Sequence, residues 1–450
     1  MKTMTAQMAA QVCGGRLVCG GEDAIPLGRA MIDSRAVQPG DLFVAYRGEK
    51  TDGHKYINKA FEKGAVCALA EYLPEDVSGP VILTDSVQSA LEKISAAYRQ
   101  SLDIPVVGIT GSVGKTTAKE MVSAVLAQKF RLLKTDGNLN NQIGVPMTVS
   151  RIEAEHEAAV VEMGISDFGE MRLLAEIARP TIGVFTVIGH AHLEFLHDLD
   201  GVFRAKTEML ELMSGDAPVV FSGDDELLCR LSKRPGAISC GLSESCAVRA
   251  ENIRLMPGGY TCCDIVYDQR RIKADIPAYG QHMVYAALYA AAVGFVLGLS
   301  DEEIEAGIAA YETVGRRGVV TDTGFVTLVD DCYNANPDSM KCGIDSLVKL
   351  PGRHVCIFGD MLEMGEDSPR MHFELGQYAR EHGVERLIAC GALGAEMARG
   401  AGDRGLHFAT VKELEEALPE LIRKGDTVLV KASRGMHLET VAEAIKLLKG

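Results

Sequence analysis

The stretch from Ile104 to Val122, IPVVGITGSVGKTTAKEMV, narrows the folds open to this chain more than any other. A β-branched run from Ile104 to Ile109 is long enough for one buried parallel strand. It leads into Thr110-Gly111-Ser112-Val113-Gly114, after which Lys115-Thr116-Thr117 opens an amphipathic helix. Strand, glycine loop and helix in that order predict a phosphate cradle. Glycines let backbone N–H groups close around phosphate oxygens, and the helix N-terminus adds its positive end. Lys115 is placed to reach the terminal phosphates and Thr116 to offer a hydroxyl to Mg²⁺. The strict spacing G-x-x-x-x-G-K-[ST] is missed by one position, because Ile109 stands where its first glycine belongs. The plainer alternative is an ordinary strand–helix turn that holds a lysine. The flanking strand and helix favour a nucleoside triphosphate site.

With 450 residues the chain is too long for one core, which implies roughly two to four domains. A net charge of −16 without a lysine- or arginine-rich run argues against nucleic acid as a partner, but leaves room for a local basic pocket. Twelve cysteines without a C-x-x-C pair suit neither a zinc site nor a disulfide framework, so reduced thiols and a cytoplasmic location are expected. No apolar core follows a basic segment at the N-terminus, which speaks against a signal peptide. The longest uncharged run, Met283 to Ser300, is alanine- and glycine-rich and short for a span, so a buried helix and no membrane insertion are expected.

The fold class is α/β, in three units. Residues 1–84 form a small α/β unit, with a turn at Pro39-Gly40 and a strand over Leu42–Ala45. Residues 85–313 form a central parallel-sheet unit carrying the phosphate loop. Within it, Ser86 caps a helix reaching Gln100. Segments then alternate: Ala158–Met163, Glu170–Ala178, Ile182–Val187, Val202–Met213 and Val219–Ser222, as in a parallel sheet covered by helices. Strand-like pieces around Pro257-Gly258-Gly259 suggest a small antiparallel insertion, and Met283–Leu299 the buried helix. Gly315-Arg316-Arg317-Gly318 looks like a hinge into a Rossmann-like α/β unit over 314–450. Its strands are Val326–Asp331, His354–Gly359, Arg386–Cys390 and Thr427–Lys431.

Polar residues gather at predicted strand ends, where parallel sheets place ligands. Glu162 is suited to Mg²⁺ beside a nucleotide, or else merely closes its strand. His190 and His192 follow the strand beginning at Ile182. Asn138, Asn140 and Asn141 read either as amides facing a polar substrate or as Asx turns. Ser34 and Arg35 offer phosphate donors, although local residues favour a solvated turn. Lys206, between Arg204 and Glu208, reads as a solvated helix face. Asp330 to Pro337 (with Asp331, Asn334 and Asn336), Phe358-Gly359-Asp360-Met361 and Lys431-Ala432-Ser433-Arg434-Gly435 make three polar turns on one sheet edge, a face suited to meet the nucleotide.

Taken together these residues resemble the Mur ligase family over essentially the whole chain. DSRAVQPGDLFVAYRGEKTDGH is similar to the family's uridine-nucleotide domain, ITGSVGKTTAKEM to its ATP loop, and GNLNNQIGVP, VVEMG, IGHAHLEFL and RAKTEM to its central motifs. DDCYNANPDSM, FGDMLEMG and KASRGMHLE resemble the branch that joins D-alanyl-D-alanine to UDP-N-acetylmuramoyl-tripeptide. The resemblance implies an ATP-dependent amide ligase of peptidoglycan and cell-wall synthesis, working through an acyl phosphate as a monomer. It implies residues 110–117 on ATP, with Lys115 at the phosphates, and Thr116, Glu162 and His192 at Mg²⁺. Lys206 would be carbamylated and help to hold a second Mg²⁺, against its local reading. Arg316 would approach the phosphates on closure, and Asp331, Asn334 and Asn336 would lie near the nucleotide. Ser34, Arg35, Asn138, Asn140 and Asn141 would serve the UDP substrate.

Three positions depart from the family pattern: Val187, Met283 and Ala286 stand where asparagines are usual. The nearest alternative is another ligase of this superfamily, adding the third peptide residue or extending folylpolyglutamate. A phosphate-loop switch and a small-molecule kinase are the alternatives of other classes.

Overall fold

The computed structural model describes residues 1–19, 25–48, 51–256 and 259–449; Glu49 and the expected turn at Pro257-Gly258 lie outside them. Three sheets follow one another along the chain. The first has five strands in the order Arg16–Val18, Val81–Leu83, Cys67–Ala70, Leu42–Val44, Ala30–Met31, parallel except for the first pair.

The second sheet is organised around Val106–Thr110, the strand of the phosphate loop. Ala158–Glu162 pairs with it on one side and Ile182–Phe185 on the other, both parallel. Since both neighbours come later in the chain, the sheet is wound in two directions from this strand. Its C-terminal end is therefore a switch point, where a crevice must open. The glycine loop sits in that crevice. Val219–Ser222, Ala237–Gly241 and then Val248–Met256, Tyr260–Tyr267 and Arg270–Ile276 continue the sheet to nine strands, with Leu132–Lys134 at the other edge. The last three strands, expected as a separate insertion, are hydrogen-bonded onto the parallel sheet through Cys240 and Val248. They form its antiparallel edge.

Two helices explain why the loop is rigidly backed. Lys115–Leu126 starts directly after Gly114 and buries Met121, Val122 and Val125 against Gln281–Val296. The second helix is apolar all round, and its alanines allow that close approach. Val87–Gln100, capped by Ser86 as expected, packs on the N-terminal helix Ala6–Cys13 and on the central helices Gly144–Ser150 and Glu170–Ala178. One apolar core thus runs from the first sheet into the second.

The third sheet has the order Val319–Asp322, Thr327–Asp331, Asp426–Lys431, Arg353–Gly359, Arg386–Cys390, Gly405–Phe408, parallel after the first pair. Asp331 and Phe358 both pair with Lys431, so the three polar turns do share one edge. At the opposite end, Asp426 accepts both forks of Arg353 at 2.8 and 2.6 Å and the Arg423 N–H at 2.8 Å. Its carboxylate is 2% exposed. Asp426→Ala strands a half-buried guanidinium, and a loss of about 3 kcal/mol is expected in denaturant unfolding.

Other differences are local. The helix expected over Val202–Met213 starts earlier, at Leu199, because Asp198 accepts the Gly201 N–H at 2.6 Å as its cap. It ends at Thr207 and tightens into a 3₁₀ turn over Glu208–Leu212.

Candidate active site

The glycine loop is held from below by strand ends. The Ser112 N–H donates to the Val187 carbonyl at 2.8 Å, and the Thr186 hydroxyl to the Val113 carbonyl at 2.6 Å. Val187 therefore serves through its backbone, which its side chain does not alter. Ser112 also exchanges hydrogen bonds with Gly189, hydroxyl to carbonyl at 3.0 Å and N–H to hydroxyl at 2.9 Å. Lys115 folds back onto the loop, its Nζ donating to the Gly111 carbonyl at 2.8 Å. Thr110 is wholly buried at the strand end, its hydroxyl without a partner among the described residues. Thr117 is half-buried as the third residue of the helix.

Glu162 lies beneath Lys115 on the neighbouring strand and is 1% exposed. One carboxylate oxygen accepts from the Thr116 hydroxyl at 3.1 Å and from the Asn140 amide at 2.8 Å. The other, Oε2, has no partner among the described residues. A buried carboxylate oxygen left unpaired beside a threonine hydroxyl fits a hard divalent cation. Its backbone N–H donates to Thr135 Oγ1 at 3.0 Å, and the buried Lys119 holds the Thr135 carbonyl at 2.8 Å. Nothing in the sequence marked Lys119 or Thr135 as supports of Glu162. Among the described residues no three His, Cys, Asp or Glu side chains make a closed cage.

Lys206 overturns its local reading: it is 1% exposed and faces inward. Val202, Ala205 and Lys206 share the buried side of their helix. The spacing of Val202, Lys206 and Met209 is the signal that places Lys206 on that stripe. Burial, reinforced by the charge of Lys115, holds its amine well below the usual lysine range. Burial likewise lowers His192, and the charges of Lys206 and Lys115 add to it, with Glu363 opposing. Lys115 itself is lowered by burial, although Glu162 partly restores it. Lys115 thus disfavours the charge of Lys206, and both disfavour that of His192. Such a pocket calls for an anion.

The C-terminal unit closes over this pocket at two points. Asp338 accepts the His190 N–H at 2.8 Å and meets its ring at 3.2 Å. The approach leaves no room for a side chain at Gly189, where a Cβ would stand 2.5 Å from the Asp338 carboxylate. Glu363 reaches the His192 ring at 3.1 Å. His192 and Glu363 both adopt left-handed backbone, at φ +55° and +63°, as is common where side chains are aimed at a function. Neither Asp338 nor Glu363 was singled out from the sequence.

The remaining residues separate. Asn141 accepts the Ile143 and Gly144 N–H groups, an Asx turn opening the helix Gly144–Ser150, while Asn138 stays exposed. Asn140 belongs to Glu162, not to the N-terminal unit. Arg35 pairs with Asp33 at 2.8 Å on an exposed turn beside the buried Ser34, and its guanidinium holds the Asp33 carboxyl down to about 2. Asp331 pairs with Lys431 at 2.6 Å, and Lys431 also donates to the Asn334 carbonyl. Asn336 caps the helix Pro337–Leu347, accepting the Ser339 N–H at 2.8 Å. Arg316 is paired with Asp330 and Glu443, at 2.6 and 2.7 Å. Met283 and Ala286 are packed in the apolar core.

Three domain models match: the Mur ligase catalytic domain over residues 30–110, the Mur ligase middle domain over 109–294 and the Mur ligase glutamate ligase domain over 315–434. The UDP-N-acetylmuramoyl-tripeptide–D-alanyl-D-alanine ligase of Bacillus subtilis is 35% identical over 427 residues, covering 91% of each chain. A crystal structure of MurF from Acinetobacter baumannii superposes with a TM-score of 0.90 at 28% identity, over 98% of each chain. MurF from Thermotoga maritima in complex with ADP gives 0.84 at 27% identity, over 95% of this chain and 98% of that one.

Proposed function

The chain belongs to the Mur ligase family, and from that premise we propose how its site works. It is an ATP-dependent, ADP-forming ligase that adds D-alanyl-D-alanine to UDP-N-acetylmuramoyl-tripeptide, giving the pentapeptide precursor of peptidoglycan. ATP lies on the loop Thr110–Thr117. The observation that carries the site assignment is the grouping of buried Lys206 with half-buried Lys115 and His192 and the buried Glu162 at the sheet's switch point.

The terminal carboxylate of the tripeptide attacks the γ-phosphorus, ADP leaves, and an acyl phosphate forms. The amine of the dipeptide then attacks the acyl carbon, loses a proton and expels inorganic phosphate. A carboxylate approaching a triphosphate is repelled, so positive groups must be fixed in place beforehand. Lys115 is released from the Gly111 carbonyl to the β- and γ-phosphates, joined by loop N–H groups and the helix terminus. Burial favours the uncharged amine of Lys206, the form that adds to CO₂. The new N–C bond and the lost proton leave a carbamate carboxylate facing His192. Thr116, Glu162, His192 and that carbamate would hold two Mg²⁺ ions. When bound, these ions would neutralise the phosphate oxygens and the attacking carboxylate.

Asp338 on His190 and Glu363 on His192 close the C-terminal unit over the intermediate, which excludes hydrolytic water. Asp331 and Asn334 face the nucleotide, while Asn336 shapes their turn as a helix cap. Ser34 and Arg35 serve the UDP end, with Asn138 as the exposed amide of its loop. A monomer is the proposed working form. The twelve unpaired cysteines suit the cytoplasm. Among the described residues no helix is long and apolar enough to cross a membrane.

Phosphate release from ATP, measured with UDP-N-acetylmuramoyl-tripeptide with and without D-alanyl-D-alanine, tests the function. Release that requires the dipeptide, with a pentapeptide product by mass, is expected. An ATPase rate indifferent to both substrates would refute the reading.

A further inference from the structure

Glu162 is gripped by a segment that leaves the central sheet irregularly. Leu132–Lys134 pairs in parallel with Ala158–Glu162, and the ladder runs on to the Thr135 N–H, which donates to the Val160 carbonyl at 3.0 Å. The regular next bond of a parallel ladder would join the Glu162 N–H to the Thr135 carbonyl. Here the Thr135 hydroxyl accepts that N–H at 3.0 Å, and the carbonyl accepts from Lys119 Nζ at 2.8 Å instead. A side-chain oxygen has taken the place of a backbone one directly behind the carboxylate.

Lys119 stands one turn after Lys115 on the helix Lys115–Leu126 and is wholly buried. Glu120 meets it at 2.8 Å with one oxygen and meets Lys134 with the other. A buried ammonium is costly, and an apolar residue would pack this helix without that cost. What the ammonium adds is a fixed tie from the helix to Thr135. The same helix presents Thr116, whose hydroxyl donates to Glu162 Oε1 at 3.1 Å. Beyond Thr135 the chain turns through Gly137, at φ +53°, and returns with Asn140, which donates to that same oxygen at 2.8 Å. Glu162 is thus held at its backbone by Thr135 and at one oxygen by Thr116 and Asn140. Oε2 is left without a partner among the described residues. Small octahedral cations demand close control of ligand direction, and this bracing supplies it.

We propose that Lys119 and Thr135 are positioning residues for the divalent cation. Lys119 draws the Thr135 carbonyl out of the ladder, the Thr135 hydroxyl fills the vacated place, and Glu162 is fixed with one oxygen open. The proposal rests on the assignment of Glu162 to Mg²⁺ above, and adds which residues set the affinity of that site.

The test follows ADP affinity by calorimetry over a range of Mg²⁺ concentrations in the full chain, alongside the Mg²⁺ dependence of phosphate release. Thr135→Val keeps the side chain's shape and removes its hydroxyl. In that variant and in Lys119→Met, the Mg²⁺ concentration that half-tightens ADP binding should rise about tenfold. The half-saturating Mg²⁺ for turnover should rise with it, while KM for the tripeptide substrate stays unchanged. Thr135→Ser, which keeps the hydroxyl, should restore the wild-type response. A Thr135→Val protein that melts earlier yet responds to Mg²⁺ as wild type does would overturn the proposal, since the network would then serve the fold alone. A serine variant as impaired as the valine one would overturn it too. Glu162→Gln serves as the reference for the underlying site. If its ADP binding responds to Mg²⁺ as wild type does, the assignment of Glu162 itself fails, and the proposal with it.

Discussion

Lys206→Ala is expected to abolish ligation, lowering turnover by about a thousandfold or more, without loosening the fold. The lysine is almost wholly buried at the end of its helix, near enough for its charge to bear on His192 and that of Lys115 on it. Truncation removes a buried polar group but leaves a cavity, two effects of opposite sign, so the thermal midpoint should change little. What is lost is chemistry. An amine whose charged form burial disfavours can add CO₂, and the resulting carboxylate would give this pocket a second anionic ligand beside Glu162. Two measurements separate the roles. Product formation should vanish in the alanine variant, and a carbamate carbon signal from ¹³C-bicarbonate should be present in the wild type only. A variant that turns over normally would remove Lys206 from the mechanism.

Gly111→Ala should be the most damaging change in the phosphate loop, and the contrast with Gly114→Ala shows why. A Cβ at Gly111 would lie 1.9 Å from the Thr186 hydroxyl, on a backbone with φ +149°. Thr186 is the residue that holds the Val113 carbonyl, so pushing it away unmakes the cradle from beneath. A stability loss of about 2–4 kcal/mol is expected in thermal unfolding, with ATP binding weakened about a hundredfold or more. At Gly114 the φ is +82°, and a Cβ would meet nothing within 4 Å. There the cost is backbone strain alone, about 1 kcal/mol. Equal effects at the two positions would show that the contact with Thr186 is not what shapes the loop.

The order in which these residues could be read follows their separation along the chain. The strand, glycine loop and helix around Lys115 are covalent neighbours, so their types and spacing already specify the cradle. Glu162, at the end of an apolar run, was legible as a strand-end carboxylate for the same reason. The asparagines at 138, 140 and 141 were not separable. All three have the same chemistry within four residues, and only the fold gives Asn140 to Glu162, Asn141 to a helix start and Asn138 to the surface. Lys206 lay between. Its charged neighbours Arg204 and Glu208 suggested solvent, while its phase with Val202 and Met209 put it on the buried stripe. Phase prevails because a helix packed on a sheet must bury that side whatever residue occupies it.

The amino-acid sequence by itself determined the α/β class and the phosphate loop, because hydrophobic period and loop chemistry are local properties that act within a dozen residues, while the family came from the resemblance of motifs spread over the whole chain. Tertiary structure decided which side chains are spent on holding the fold and which are left for a ligand. Asn336 is taken by a helix cap and Arg316 by two carboxylates. Asp338 and Glu363 come into the site from more than a hundred residues beyond His190 and His192. Pairing energies of that kind depend on distance and burial, which exist only once the chain has folded.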